Sequence, residues 1–189
     1  FMKAISKSLK KNDPNHLNLG IRYGYIEQLD DELLRISKES FDALSFNCYA
    51  LSPDHEKMNH ALEISGLPMI IGEYHFGTVD RGLAQSLWQV NSQKERGDAF
   101  RYYTENAFAH RGLIGTGWFR WIDQNINGRT DGENYNCGFI DVTDRPYPYM
   151  VDAAIETAKS LYEIHSGTKT PFHQAPNAVG HSPIPDLWE

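Results

Sequence analysis

Cysteine is scarce in this chain: Cys48 and Cys137 are the only two among 189 residues. Two thiols cannot build a disulfide framework, so a small stapled scaffold is excluded and unpaired, buried thiols are expected. Long apolar runs are missing as well. None approaches the ~20 residues that a membrane-spanning helix needs, so no membrane association is expected. Positive charge falls short of negative, with 18 Lys and Arg against 25 Asp and Glu, a net of -7. Phosphate backbones are held by basic surfaces, which removes nucleic acid as an expected partner. No Gly-rich phosphate turn follows any candidate strand, and this weighs against a nucleotide site.

Metal and serine chemistry are also poorly represented. The eight histidines show no HExxH spacing. His55 and His60 stand five apart, and His165, His173 and His181 lie in a Pro-rich tail. The stretch from Asp123 through Asn127 to Asp131 and Gly132 is oxygen-rich but lacks the full EF-hand pattern, so hydrogen-bonded turns are expected there. Ser86 and Ser92 have no nucleophile-elbow context. Neither a metal nor a cofactor is expected.

What the chain does have is a core and many rings. Hydrophobic residues make up 40% and aromatics 12% of the sequence. Aromatic faces suit the C–H faces of sugars, although they fill cores equally well. Along the chain, residues 1–11 read as the end of an amphipathic helix, broken at Asp13-Pro14-Asn15. Residues 16–23, 41–49, 67–74 and 113–121 read as strands. Between them lie helices at 30–40 and 53–65, the second stopped by Gly66. A third opens with the capping box Ser92-Gln93-Lys94-Glu95 and buries Phe100, Tyr103, Ala107 and Phe108. A polar loop over 123–145 leads to a last helix from Pro146, with Val151, Ala154, Ile155, Ala158 and Leu161 on one face.

Strands alternating with helices, without hairpin signals, predict a parallel α/β sheet with crossover helices. Two architectures fit: an open doubly wound sheet, or part of an eight-stranded barrel. Four strand-helix units make half of a (β/α)8 barrel.

In a parallel barrel the chemistry sits at the C-terminal ends of strands. Those ends offer Arg22 and Tyr23, then Asn47 and Tyr49, then Glu73 and His75, then Trp118, Arg120 and Trp121. Glu73 closes the apolar run Met69-Ile70-Ile71-Gly72 and is the outstanding candidate, although a strand-end Glu can simply step into solvent. Asn47 and Tyr49 are two apart and share a direction, so a tyrosine hydroxyl could orient the Glu73 carboxylate. Trp118 and Trp121 are three apart. In a regular strand only one lines a cleft while the other packs on helices.

The ordered set Asn47-x-Tyr49, Ile71-Gly72-Glu73-Tyr74-His75-Phe76-Gly77, Asp80-Arg81-Gly82, Asp131-Gly132-Glu133-Asn134-Tyr135, Gly138-Phe139 and Pro146-Tyr147-Pro148 resembles the family 50 β-agarases. These are clan A glycoside hydrolases. The resemblance runs over about residues 13–158. It implies the C-terminal half of a TIM barrel (strands five to eight) over residues 1–164, with residues 165–189 as a tail packing on it or leading elsewhere. It implies a retaining hydrolase of β-1,4 galactosidic bonds in agarose or a related galactan. Glu73 would be the nucleophile and Tyr49 its hydrogen-bonding neighbour. Substrate contacts would come from Asn47, His75, Trp118 or Trp121, Asp123, Gln124, Glu133 and Asn134.

A retaining glycosidase needs a second carboxyl ~5–5.5 Å from the first. The family places it after strand four in an Asn-Glu pair, and no such pair precedes the first strand here. The acid/base and the N-terminal half of the barrel are therefore expected outside these residues, as a partner that completes the fold. Alone, this segment is expected to be inactive. A non-catalytic carbohydrate-binding barrel, or a β-galactosidase of a related clan A family, remains an alternative. Location is not legible in the chain, and the resemblance implies a secreted or periplasmic protein.

Overall fold

The computed structural model describes residues 1–180; residues 181–189, with His181, lie outside it. The chain opens with α1 (Met2–Asn12), β1 (Arg22–Tyr23), a 3-10 turn (Ile26–Gln28), α2 (Asp31–Ser40), β2 (Leu44–Asn47), α3 (His55–Ser65) and β3 (Met69–Tyr74). It continues through β4 (Trp88–Gln89), α4 (Gln93–Phe108), β5 (Leu113–Trp118), α5 (Pro148–His165) and β6 (Val179–Gly180). No described helix is long and apolar enough to cross a membrane.

Four strands form one parallel sheet in the order β1-β2-β3-β5. Sequence order and spatial order coincide, so the sheet never reverses as a doubly wound sheet does at its switch point. Neighbouring helices pack in the same succession, α1 on α2, α2 on α3 and α4 on α5. The main core lies between sheet and helices, with Leu34, Leu44, Phe46, Met58, Met69, Ile71, Tyr74, Tyr103, Leu113 and Met150 almost wholly buried. Each such side chain contributes about 2 kcal/mol on burial. Side chains on the other face, such as Ser45, Asn47 and Ile70, are only partly covered. The apolar run of β3 therefore has one buried face, not the two its composition suggests.

Local signals behave as expected, with instructive shifts. Asp30 accepts from Leu33 N at 2.8 Å and Asp54 from Glu56 N at 2.9 Å, opening α2 and α3. Gly66 closes α3 in the left-handed region at φ 67°. Ser92 caps α4 by accepting from Glu95 N at 3.2 Å, but Glu95 reaches past it to Asn91 N at 2.9 Å. The last helix starts at Pro148, two residues after the expected Pro146. Its buried stripe is Met150, Ala153, Thr157, Ser160 and Ile164, so the expected stripe is rotated, and Ile155 stands exposed.

The strand over 16–23 shrinks to β1, because residues 13–21 leave the sheet. Asp42 draws them aside, accepting from Asn18 N at 2.7 Å. Beyond α5, Phe172 N donates to Glu105 at 2.8 Å, Arg101 lies over the Phe172 ring, and β6 pairs antiparallel with β4.

Candidate active site

The site begins with an irregularity in β3. Phe46 pairs with Ile71, yet the next residue, Asn47, pairs with Glu73. On the other side Ile71 pairs with Thr116 and Tyr74 with Trp118, so β3 has one residue more than β5 over the same stretch. The extra residue is a β-bulge at Gly72–Glu73. In an unbroken strand Glu73 shares a face with buried Met69 and Ile71 and points into the helices. The bulge resets the alternation: Tyr74 goes to the helix side, where its hydroxyl bonds Thr104, and Glu73 turns to the opposite face. Asn47 is already on that face, opposite the buried Phe46.

Glu73 is held at both oxygens. Tyr49 Oη donates to Oε2 at 2.8 Å and Asn47 Nδ2 donates to the same oxygen at 3.1 Å. Arg22 Nη1 donates to Oε1. The carboxylate is one-fifth exposed, enough to be reached. Burial above all, then the charge of Glu73, holds the Tyr49 phenol far above its ordinary range, so Tyr49 remains a donor. Tyr25 is raised by burial and next by the same charge, which places it at this site too.

His75 does not face a cleft. It is 1% exposed, with Nδ1 donating to the Phe119 carbonyl at 3.1 Å and Nε2 accepting from Leu87 N at 3.1 Å. Burial depresses it to about 3, so it is neutral with its tautomer fixed. Its ring meets that of Tyr49 edge-on, with centroids 5.0 Å apart. His75 is thus a strut behind Tyr49, and the expected sugar contact is corrected.

The two tryptophans divide their roles. Trp118 faces the helices among Tyr74, Phe100 and Phe139, and its Nε1 donates to the Cys137 carbonyl at 2.7 Å. Trp118 is thus partly buried and packed against the core. Trp121 is 69% exposed and stacks on Phe139 with an interplanar angle of 16°, leaving its outer face open.

The loop after β5 also spends most of its expected contacts on itself. Asp123 is buried and accepts from Asn136 Nδ2 at 2.8 Å, Gly138 N at 2.7 Å and Tyr147 Oη at 2.6 Å. Gln124 is buried as well, accepting from Tyr135 N at 2.6 Å and donating to Glu133 at 2.7 Å. Both thus serve as loop supports, and both also line a surface cavity with Arg81, Asn125 and Tyr147. Glu133 also pairs with Arg129 at 3.1 Å. Asn134 accepts from Ala84 N at 3.1 Å, tying this loop to the β3–α4 connection. The oxygen-rich segment 123–132 folds as hydrogen-bonded turns, among them Gly128 N to Asn125 O at 2.8 Å.

Sequence reasoning placed Arg22 at a strand end without assigning it a task, and it missed Tyr25. The signal for Arg22 was its position next to Tyr23, which is buried toward α2 and bonds Ser37 at 2.9 Å. Alternation then puts Arg22 on the face of Asn47.

A reachable carboxylate lies on the carboxyl edge of a parallel α/β sheet, the edge where barrel folds carry their reacting groups, and it is held by a phenol, an amide and a guanidinium. The comparisons narrow the class. No family model matches the chain. It is 36% identical over 169 residues to β-agarase A of Vibrio sp. (strain JT0107), and 34% identical to β-agarase B of the same strain. Each alignment covers 86% of this chain and 17% of the relative, so the chain spans about a sixth of those relatives' length. Among solved structures, an agarase, AgWH50C, matches with TM-score 0.81 and 37% identity over 87% of this chain and 23% of that one. An exo-β-agarase matches with TM-score 0.81 and 34% identity over 89% of this chain and 22% of its own. Over the matched residues the chain is similar to these β-agarases, as a segment of their longer chains.

Proposed function

We propose that this chain carries the nucleophile side of a retaining β-agarase, with Glu73 attacking the anomeric carbon of a β-1,4-linked galactose in agarose or a related galactan. The observation that carries this reading is the bulge at Gly72–Glu73, which turns a carboxylate out of the core onto a face where Asn47, Tyr49 and Arg22 orient it. Hydroxyl and amide donors keep a strand-end carboxylate aimed, as covalent catalysis requires. Trp121, with one face open, would stack a sugar ring, and Asn47 would contact the substrate beside Glu73.

The singly wound order β1-β2-β3-β5 supports reading the sheet as strands five to eight of a (β/α)8 barrel, completed by further strands along its two edges. The second carboxyl, needed to protonate the leaving oxygen, is proposed to come from that remaining part. Asp123 is locked in the loop and Glu133 is engaged by Arg129 and Gln124, so neither is placed for the task.

The test uses the complete chain with a 2-deoxy-2-fluoro galactosyl inactivator and agaro-oligosaccharides. Covalent mass on the peptide holding Glu73, with turnover abolished in Glu73→Gln, is the expected result. Oligosaccharide binding without labelling or turnover would sink the enzymatic reading in favour of a binding protein. Cleavage of small galactosides but not of agarose would point to a β-galactosidase.

A further inference from the structure

Glu73 has about four lone-pair positions on its two oxygens. Asn47 and Tyr49 fill both positions on Oε2, while Arg22 takes one on Oε1. These three bonds leave one lone pair of Oε1, and a nucleophilic carboxylate needs one. Resting on the reading of Glu73 as nucleophile, we propose that Arg22 is a positioning residue that makes Oε1 the attacking oxygen, and that position 72 is glycine so that Arg22 can reach it.

The geometry at the bulge supports both halves. Arg22 extends from β1 across β2 to β3, and its stem lies directly over residue 72. A Cβ there would stand 3.0 Å from Arg22 Cδ, 3.2 Å from Arg22 Cγ and 3.3 Å from Asn47 Oδ1. All three contacts are tighter than most real Cβ contacts, so alanine requires the arginine stem or the Asn47 amide to give by a few tenths of an ångström. The one glycine thus serves two ends: it sits in the bulge that turns Glu73 outward, and it leaves the channel through which Arg22 arrives. Asn47 Oδ1 is buried without a partner among the described residues, so nothing else anchors that amide apart from its bond to Glu73. Arg22 is itself more than half exposed. Screening by water limits the pair's Coulomb energy, and orientation is its main product.

The chemistry gives Arg22 unequal weight in the two steps. First, Oε1 forms a bond to the anomeric carbon while the bond from that carbon to the leaving oxygen breaks, and the leaving oxygen takes a proton from the second carboxylic acid. In the resulting ester Oε1 has lost its charge and Arg22 its ionic partner. Then water attacks the same carbon and gives a proton to the second carboxylate. The bond to Oε1 breaks, and its electron pair returns to Oε1, where Arg22 receives the charge. Arg22 assists departure of the carboxylate more than its attack, so its loss slows deglycosylation most.

The experiment compares Arg22→Met, Arg22→Lys and Gly72→Ala in the complete chain on agaro-oligosaccharides, with melting temperatures as the check on folding. Arg22→Met is expected to lower kcat about 100-fold, the lower end of the range for loss of a charge-stabilising donor. KM should fall with it as the covalent species accumulates, visible as glycosyl-enzyme mass in quenched turnover. Arg22→Lys should recover part of the rate, as should added guanidinium with Arg22→Met. Gly72→Ala should lower kcat with Arg22 still present. Arg22→Met with kcat and KM within about twofold of wild type, and no accumulating intermediate, would overturn the proposal. That outcome beside an inactive Glu73→Gln removes only the role of Arg22, whereas an active Glu73→Gln removes the nucleophile reading itself.

Discussion

Tyr49 donates its hydroxyl to Glu73 Oε2 at 2.8 Å, and the ring of His75 braces Tyr49 from behind. This contact joins the end of the β2 segment to the end of β3 and aims the carboxylate. It also makes Tyr49 a separable part of the site, since its ring is held by packing and only its hydroxyl touches Glu73.

Tyr49→Phe should therefore keep the fold and lose rate. The expected change is a drop in kcat of about 100-fold, as for removal of one oriented donor, with a melting temperature close to wild type. Steady-state kinetics on agaro-oligosaccharides checks it; an unchanged kcat would mean that Asn47 and Arg22 suffice to hold Glu73.

Trp118 and Trp121 should separate cleanly. Trp121→Ala removes an exposed stacking face, so KM for oligosaccharides should rise about tenfold, or about 1.4 kcal/mol, the upper end for a ring contact, with stability unchanged. Trp118→Ala empties a packed position and loses the bond to Cys137, at a cost of about 3 kcal/mol. Urea unfolding and oligosaccharide titration of both variants decide the matter, and a reversed pattern would contradict the assignment.

His75 ties stability to pH with a definite sign. Burial lowers it to about 3 in the folded chain, while the unfolded chain binds its proton near 6.5. Between those values the unfolded state holds the extra proton. The contribution is therefore fully present above about pH 6.5 and is lost as pH falls toward 3, at up to about 1.4 kcal/mol per pH unit. Urea midpoints measured from pH 7 to pH 4 should fall more steeply in wild type than in His75→Gln. Parallel curves would show that the imidazole is not the linked group.

Asp123 should matter for the loop and only through it for the site. Asp123→Ala strands Gly138 N and the Tyr147 hydroxyl proton in a buried setting and leaves Asn136 Nδ2 only its bond to Tyr147 Oη, at a cost of about 3 kcal/mol. Hydrogen exchange over residues 122–147 should quicken in this variant before the sheet is affected. Protection equal to wild type in that segment would refute the anchoring role.

Much of this was legible in the sequence because it depends on short-range rules. Alternating patterns placed all four parallel strands and the helices between them, and Gly66, Ser92 and the proline near residue 148 marked helix ends within two residues. The i, i+2 spacing of Asn47 and Tyr49 pointed both at Glu73, and both do bond it. The loop was harder. Asp123, Gln124 and Asn134 have the polar chemistry of sugar contacts, but that chemistry serves equally to satisfy backbone and side-chain groups inside a long irregular segment. Which use prevails depends on partners 10 or more residues away, such as Asn136, Tyr147 and Ala84.

The sequence by itself determined the parallel α/β order, the position of Glu73 at a strand end and the neighbourhood of Tyr49, since periods of 2.0 and 3.6 residues and strand-end chemistry are local. Only the tertiary structure decided which way Glu73 points. An uninterrupted β3 would bury it among helices. The bulge at Gly72–Glu73 takes shape only when β3 is registered against β2 and β5 together, and that registration also brings Arg22, 51 residues away in sequence, onto the second oxygen.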